Sequence, residues 1–174
     1  MKKAIVIALM VMGMALLFAA NWTQTIILMS VVEAVRPDYT LEVAYVENGY
    51  ANRTSASEVV VCSHDVSKDV KANLFIAQSL SRYKGEVEIT ISAEELHWNG
   101  YHTDGLNISA NLVSINGRDG FVQENGKSVV ISLSYDGKTI DNSVVADVEV
   151  TYNGNSNLPQ GDYVSHIRMV VEAK

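Results

Sequence analysis

Only one cysteine, Cys62, occurs among the 174 residues. No intrachain disulfide framework is therefore available, and stability must come from an ordinary hydrophobic core. The thiol stands in the apolar run Val59-Val60-Val61-Cys62, where it reads as a small buried side chain, with an intermolecular disulfide or a reactive thiol as the other reading. No basic block offsets the net charge of −7, which argues against a nucleic-acid or anionic-membrane surface role. Also missing are a Gly-x-Ser-x-Gly elbow, a phosphate loop, a dinucleotide fingerprint and a histidine-glutamate zinc-protease signature. The 4 histidines, His64, His97, His102 and His166, follow no standard zinc spacing, and the Asp-Gly pairs lack EF-hand spacing. The sequence thus predicts no enzyme, no metal and no cofactor. It has no linker, low-complexity block or long repeat, so one domain accounts for it beyond the N-terminal segment.

That segment is a short basic start, Met1-Lys2-Lys3, followed by the uncharged apolar run from Ala4 to Ala20. The pattern is that of a secretory signal or an uncleaved N-terminal membrane anchor, at the lower edge of the length that spans a bilayer. Cleavage fits after Ala19 or Ala20, or after Ala34, where Val32 and Ala34 take the small-residue positions. Arg36-Pro37-Asp38 resembles the polar entry to a first strand and favours the later cut. Residues 1–34 are accordingly expected to be a signal peptide or membrane segment, and residues 36–174 the domain. The protein is expected to be exported, to a periplasm, a cell surface or the medium, and to touch membrane only through an uncleaved N-terminus.

From residue 36 onward the apolar residues recur with period two. Tyr39, Leu41, Val43 and Tyr45 form one such run, Glu58 to Cys62 a second, and Lys71 to Leu80 a third, more ambiguous one. Val87, Ile89 and Ile91 follow, then Leu106 to Leu112, Val129 to Tyr135, Val144 to Tyr152, and Ile167, Met169, Val171 and Ala173. In the last run Ile167, Met169 and Val171 are expected to face one layer, and His166, Arg168 and Glu172 the other. Asn116-Gly117, Asp119-Gly120, Asn125-Gly126, Asp136-Gly137 and Asn153-Gly154 are the dipeptides that supply positive φ in tight turns. About seven or eight strands at this spacing predict an all-β antiparallel sandwich, and the large inward residues favour it over a barrel. Ser92 to Leu96 is the one helical candidate, a turn at most.

Between two of these runs lies ELHWNGYHTDGLN, Glu95 to Asn107. It gathers His97, Trp98, Tyr101, His102 and Asp104 in a stretch too polar for a core. Flat rings beside amides and carboxylates suit a carbohydrate face or a protein hot spot. The alternative is that Trp98 and Tyr101 fold back to plug one end of the sandwich, since large aromatics are usually well buried. Asn21, Asn52 and Asn107 each open an Asn-x-Ser/Thr triplet, a glycan acceptor in a eukaryotic secretory pathway, although the short Lys-Lys start looks bacterial.

Leu158-Pro159-Gln160-Gly161-Asp162-Tyr163, leading into Val164 to Ala173, resembles the closing segment of bacterial fimbrial subunits and of spore-coat-U-like secreted proteins. The cysteine pair and the penultimate aromatic of the fimbrial pattern are not present. The resemblance implies an immunoglobulin-like sandwich and assembly by strand donation, in which an alternating segment completes a neighbour's sheet. Tyr39 to Tyr45, or the apolar arm before it, is the candidate donor; the alternative is that it forms the first strand of its own sandwich. The expected function is structural, adhesive or pilus-like, with a protein partner or self-assembly through sheet edges. A carbohydrate- or ligand-binding module using the Trp98/Tyr101 loop, and a periplasmic accessory or chaperone-like protein, are the alternatives.

Overall fold

The computed structural model describes residues 37–114 and 118–174. The N-terminal segment read as an export signal, with the cleavage points expected in it, and the Asn116-Gly117 pair lie outside these residues. The strands are β1 (Asp38–Glu47), β2 (Tyr50–Ser55), β3 (Glu58–Ser63), β4 (Val70–Leu80), β5 (Lys84–Ala93) and β6 (His97–Trp98). They continue with β7 (Tyr101–His102), β8 (Asn107–Leu112), β9 (Arg118–Glu124), β10 (Ser128–Asp136), β11 (Ile140–Tyr152) and β12 (Tyr163–Ala173). Every pairing among them is antiparallel. A four-stranded sheet runs β1-β4-β11-β8, and an eight-stranded sheet runs β2-β3-β12-β5-β10-β9 with β6 and β7 attached beside β12. The chain is an all-β antiparallel sandwich, as the alternation predicts.

Alternation builds the core directly. Val87, Ile89 and Ile91 of β5 and Val129, Ile131 and Leu133 of β10 are buried on one side. They meet Leu74 and Ile76 of β4 and Val148 and Val150 of β11 from the other sheet in one hydrophobic cluster. The ambiguous run from Lys71 to Leu80 becomes β4, paired on both sides by β1 and β11. β1 is therefore the first strand of its own sandwich, pairing Leu41 with Ile76 and Tyr39 with Gln78. A polar chain crosses the core at its end: the Tyr39 and Tyr135 hydroxyls lie 2.7 Å apart, Tyr135 donates to Gln78 Oε1 at 2.6 Å, and Gln78 Nε2 donates to Ser143 Oγ at 3.2 Å. Burial pushes both phenols above their ordinary value.

Several local expectations are corrected. Ser92 and Ala93 finish β5, and no helix follows, because Ser92 pairs with Ser128 and Arg168 on its two sides. Asp119-Gly120 is not a turn but the middle of β9; a Cβ on Gly120 would lie 2.7 Å from the Ser132 carbonyl oxygen, so the glycine permits a close strand approach. Asn153-Gly154 opens a long connection instead of a tight hairpin, and there a Cβ would strike the Ser67-Lys68 backbone at 2.5 Å. Asn125-Gly126 and Asp136-Gly137 do form turns, with positive φ at both glycines. Among the described residues twelve strands appear where about seven or eight are expected, the additions being the edge strands β2 and β9 and the short β6 and β7. Val171 shares the inward face with Ile167 and Met169, pairing with Ile89, but is 38% exposed because β3 flanks β12 only as far as Arg168.

Candidate functional site

The Glu95 to Asn107 stretch is a miniature hairpin. Asn99 and Gly100 both have positive φ, 47° and 85°, which is the demand of a two-residue turn that matches strand twist. Trp98 pairs with Tyr101 across it, and His97 with His102. Because side chains alternate along a strand, the aromatic pair and the imidazole pair occupy opposite faces. His97 also pairs with Val164, which fixes β6 to the start of β12. The buried Leu96 anchors the base, its carbonyl accepting the Thr103 amide at 2.9 Å.

The two rings of the aromatic face have different surroundings. Trp98 lies over Gly161, where an added Cβ would sit 2.6 Å from Cε2, and its ring is 6.0 Å from that of Tyr163. The Leu158 to Gly161 turn thus forms a seat for the indole, braced by Tyr163, whose hydroxyl donates to the Pro159 carbonyl at 3.0 Å. Tyr101 stacks on the outer side of Trp98, with centroids 6.4 Å apart and planes at 21°, and is 46% exposed. Trp98 therefore does part of the plugging, while Tyr101 faces water.

Polar groups surround this platform. His97 Nδ1 donates to the Glu95 carbonyl at 3.3 Å, and His102 Nε2 stands 3.9 Å from Glu95 Oε2. Lys127 pairs with the same carboxylate and, by its hydrogen bond, holds Glu95 below the usual range. His97, Trp98, Tyr101 and His102 are thereby brought together on one hairpin. Asp104 is exposed two residues past it.

The other histidines lie elsewhere. His64 Nδ1 is hydrogen-bonded to Asp162 Oδ1, and the Tyr50 ring leans over the imidazole at 5.1 Å and 32°. Tyr50 and His64, with Asn48, Asp65 and Lys68, line a hollow of about 300 Å³. Cys62 is buried beside it, and a hydrogen bond to its thiol raises the Tyr50 phenol above its ordinary value. His166 contacts Glu58 at 3.2 Å, and Arg168 bridges Glu58 and Glu94 at 3.0 and 2.5 Å. Among the described residues no three His, Cys, Asp or Glu side chains are grouped to hold a metal. The His64–Asp162 pair escaped sequence reasoning because only the β3–β12 pairing, which sets Tyr163 beside Ser63, brings the two together.

No protein-family model matches the sequence, and no curated protein matches it. Among solved structures the chain is similar to the adhesin domain of Epf from Streptococcus pyogenes, at 10% identity and a TM-score of 0.41, over 72% of this chain and 46% of that one. It is similar to a non-cellulosomal cohesin from Archaeoglobus fulgidus, at 9% identity and a TM-score of 0.37, over 62% and 67% of the two chains. The RrgB pilus protein of Streptococcus pneumoniae matches at 14% identity and a TM-score of 0.36, over 79% of this chain and 23% of its own. This chain thus spans about half of the Epf domain. Likeness of this degree identifies no shared ligand or activity, and no sequence-level match joins the chain to fimbrial subunits.

Proposed function

We propose that this chain is a non-catalytic β-sandwich working outside the cytoplasm in an adhesive or structural role, with the β6–β7 hairpin as its contact face and carbohydrate as its ligand. The observation that carries the reading is the seated aromatic pair. Trp98, held on Gly161, fixes the plane of the half-exposed Tyr101 ring. A sugar face stacks on such a ring, and the imidazoles, Asn99 and Asp104 supply directed hydrogen bonds around it. A platform on a rigid two-residue turn loses little entropy when it binds. Export rests on the apolar run behind Lys2 and Lys3. On a glycan array the purified protein should be retained by a defined subset of sugars; retention by none would remove carbohydrate from the account.

A second reading, self-assembly by edge addition, rests on β9. This edge strand of the larger sheet carries Phe121 at 62% exposure. The edge of β8, in contrast, is occupied: its Ile108 amide donates to the Gly126 carbonyl at 2.9 Å and its Ala110 amide to Glu124 Oε1 at 3.3 Å. Concentration-dependent oligomers that disappear in Phe121→Lys would support assembly. A monomer at every concentration would oppose it.

A further inference from the structure

The outer face of the eight-stranded sheet holds a trough that the hairpin does not touch. Its floor is Ser132 and Ser134 of β10, whose small side chains leave a hollow of about 490 Å³. The register defines the walls. Ser134 is flanked by Glu86 on β5 and Asp119 on β9, and Ser132 by Glu88 and Phe121. The walls are two strand spacings apart, about 10 Å, enough for one extended segment. Val164, beside the hairpin, and Lys174, in the trough, are separated by ten positions on the β12 side, about 30 Å.

Charge decides what fits. Lys174 is tethered by its amide to the Glu86 carbonyl at 2.9 Å, and its ammonium is satisfied by Glu88 at 2.5 Å. Neither Glu86 nor Asp119 has an ion-pair partner among the described residues, and both are exposed. Two carboxylates without a close ion-pair partner therefore flank the serine floor, Glu86 feeling Lys174 only at longer range, with the exposed Phe121 ring on the same lip as Asp119. A cation placed there meets negative charge on both sides and an aromatic face, while an anion or a neutral ligand leaves the carboxylates uncompensated. The chain's net charge of −7 adds long-range attraction for a basic partner.

We propose that this trough docks an extended basic polypeptide segment, with a lysine or arginine side chain between Glu86 and Asp119 and its stem against Phe121. The site lies beyond the contact face assigned to the hairpin, and the two stand or fall separately.

The test is fluorescence anisotropy with a short fluorescein-labelled peptide of alternating serine and arginine, titrated with the full chain at low and at physiological salt. Glu86→Gln combined with Asp119→Asn should weaken binding about tenfold, two exposed charge contacts being lost. Phe121→Ala should weaken it several-fold, and Lys174→Ala, which releases Glu88, should strengthen it. Glu47→Gln combined with Asp141→Asn removes the same charge from exposed sites elsewhere and should change little. Equal weakening by both charge pairs, failure of the peptide to bind, or a neutral oligosaccharide shifting the Phe121 and Ser132 resonances in place of the peptide would overturn the proposal. Tyr101→Ala should leave peptide binding unchanged, which keeps this result distinct from the fate of the hairpin.

Discussion

Replacing Tyr135 by phenylalanine should destabilise the domain more than replacing Tyr39, and more than replacing both. The reasoning follows proton direction. Gln78 Nε2 donates to Ser143 Oγ, so Gln78 Oε1 is the acceptor for Tyr135, and Tyr135 in turn accepts from Tyr39. Tyr39→Phe removes the last donor in the chain and strands nothing, a cost of about 1 kcal/mol. Tyr135→Phe strands the Tyr39 hydroxyl and Gln78 Oε1 together, each at about 1–3 kcal/mol, for a total of about 2–6 kcal/mol. The double variant strands Gln78 Oε1 alone, so it should recover about 1 kcal/mol or more relative to Tyr135→Phe. In thermal melts followed by far-ultraviolet circular dichroism, each kcal/mol moves the midpoint by about 3–5 °C for a domain of this size. Urea titrations with unchanged slope would check that only stability has altered. Equal effects of the two single variants, or a double variant that costs their sum, would refute the direction assigned to the network.

Gly161→Ala should push the Trp98 indole from its seat and cost about 1–3 kcal/mol; in a Trp22→Phe background the remaining tryptophan emission should shift to the red. Gly154→Ala, which meets backbone atoms of Ser67 and Lys68 that cannot rotate away, should be destabilising by a similar amount without that spectral change. At alkaline pH the buried Tyr39, Tyr135 and Tyr152, all raised above 10.0 by burial, keep their protons while the unfolded chain loses its own. Stability should therefore be level below pH 10 and fall above it, measurable as a drop in the urea midpoint. At acid pH the signs reverse. Glu58, lowered chiefly by its hydrogen bonds to Thr54 and Arg168, and Glu95, lowered by Lys127, add stability above 4.5 that is lost as pH falls through their folded-state values.

Where one strand face is buried and the other wet, the sequence was transparent. β5 and β10 alternate without interruption, and each inward residue between Val87 and Ile91 or Val129 and Tyr135 is buried. β2 carried no such signal, because Tyr50 to Ser55 lies at an edge where only Ala51 packs against the core and the rest is exposed. β9 was hidden by Gly120, a residue that marks turns in general but here lets Ser132 and Leu133 approach. The hairpin at Trp98 was legible in principle: Asn99-Gly100 has the same form as the dipeptides read as turns, and its positive φ values show the same cause. The pairing of Trp98 with Gly161 was not, since it joins segments whose proximity exists only once β6 has paired with β12. Likewise the trough beside Phe121 depends on the register of three strands, β5, β10 and β9, and local pattern does not encode register between distant segments.

Tyr101 offers the most direct test of the hairpin as a contact face, because its ring is 46% exposed and its removal leaves the core intact. The affinity of Tyr101→Ala for the sugar best retained by the unaltered protein should be measured beside its melting temperature. The account predicts about a tenfold or greater loss of affinity, the worth of one stacked ring, with the melting temperature nearly unchanged. Undiminished affinity in a folded Tyr101→Ala protein would contradict it.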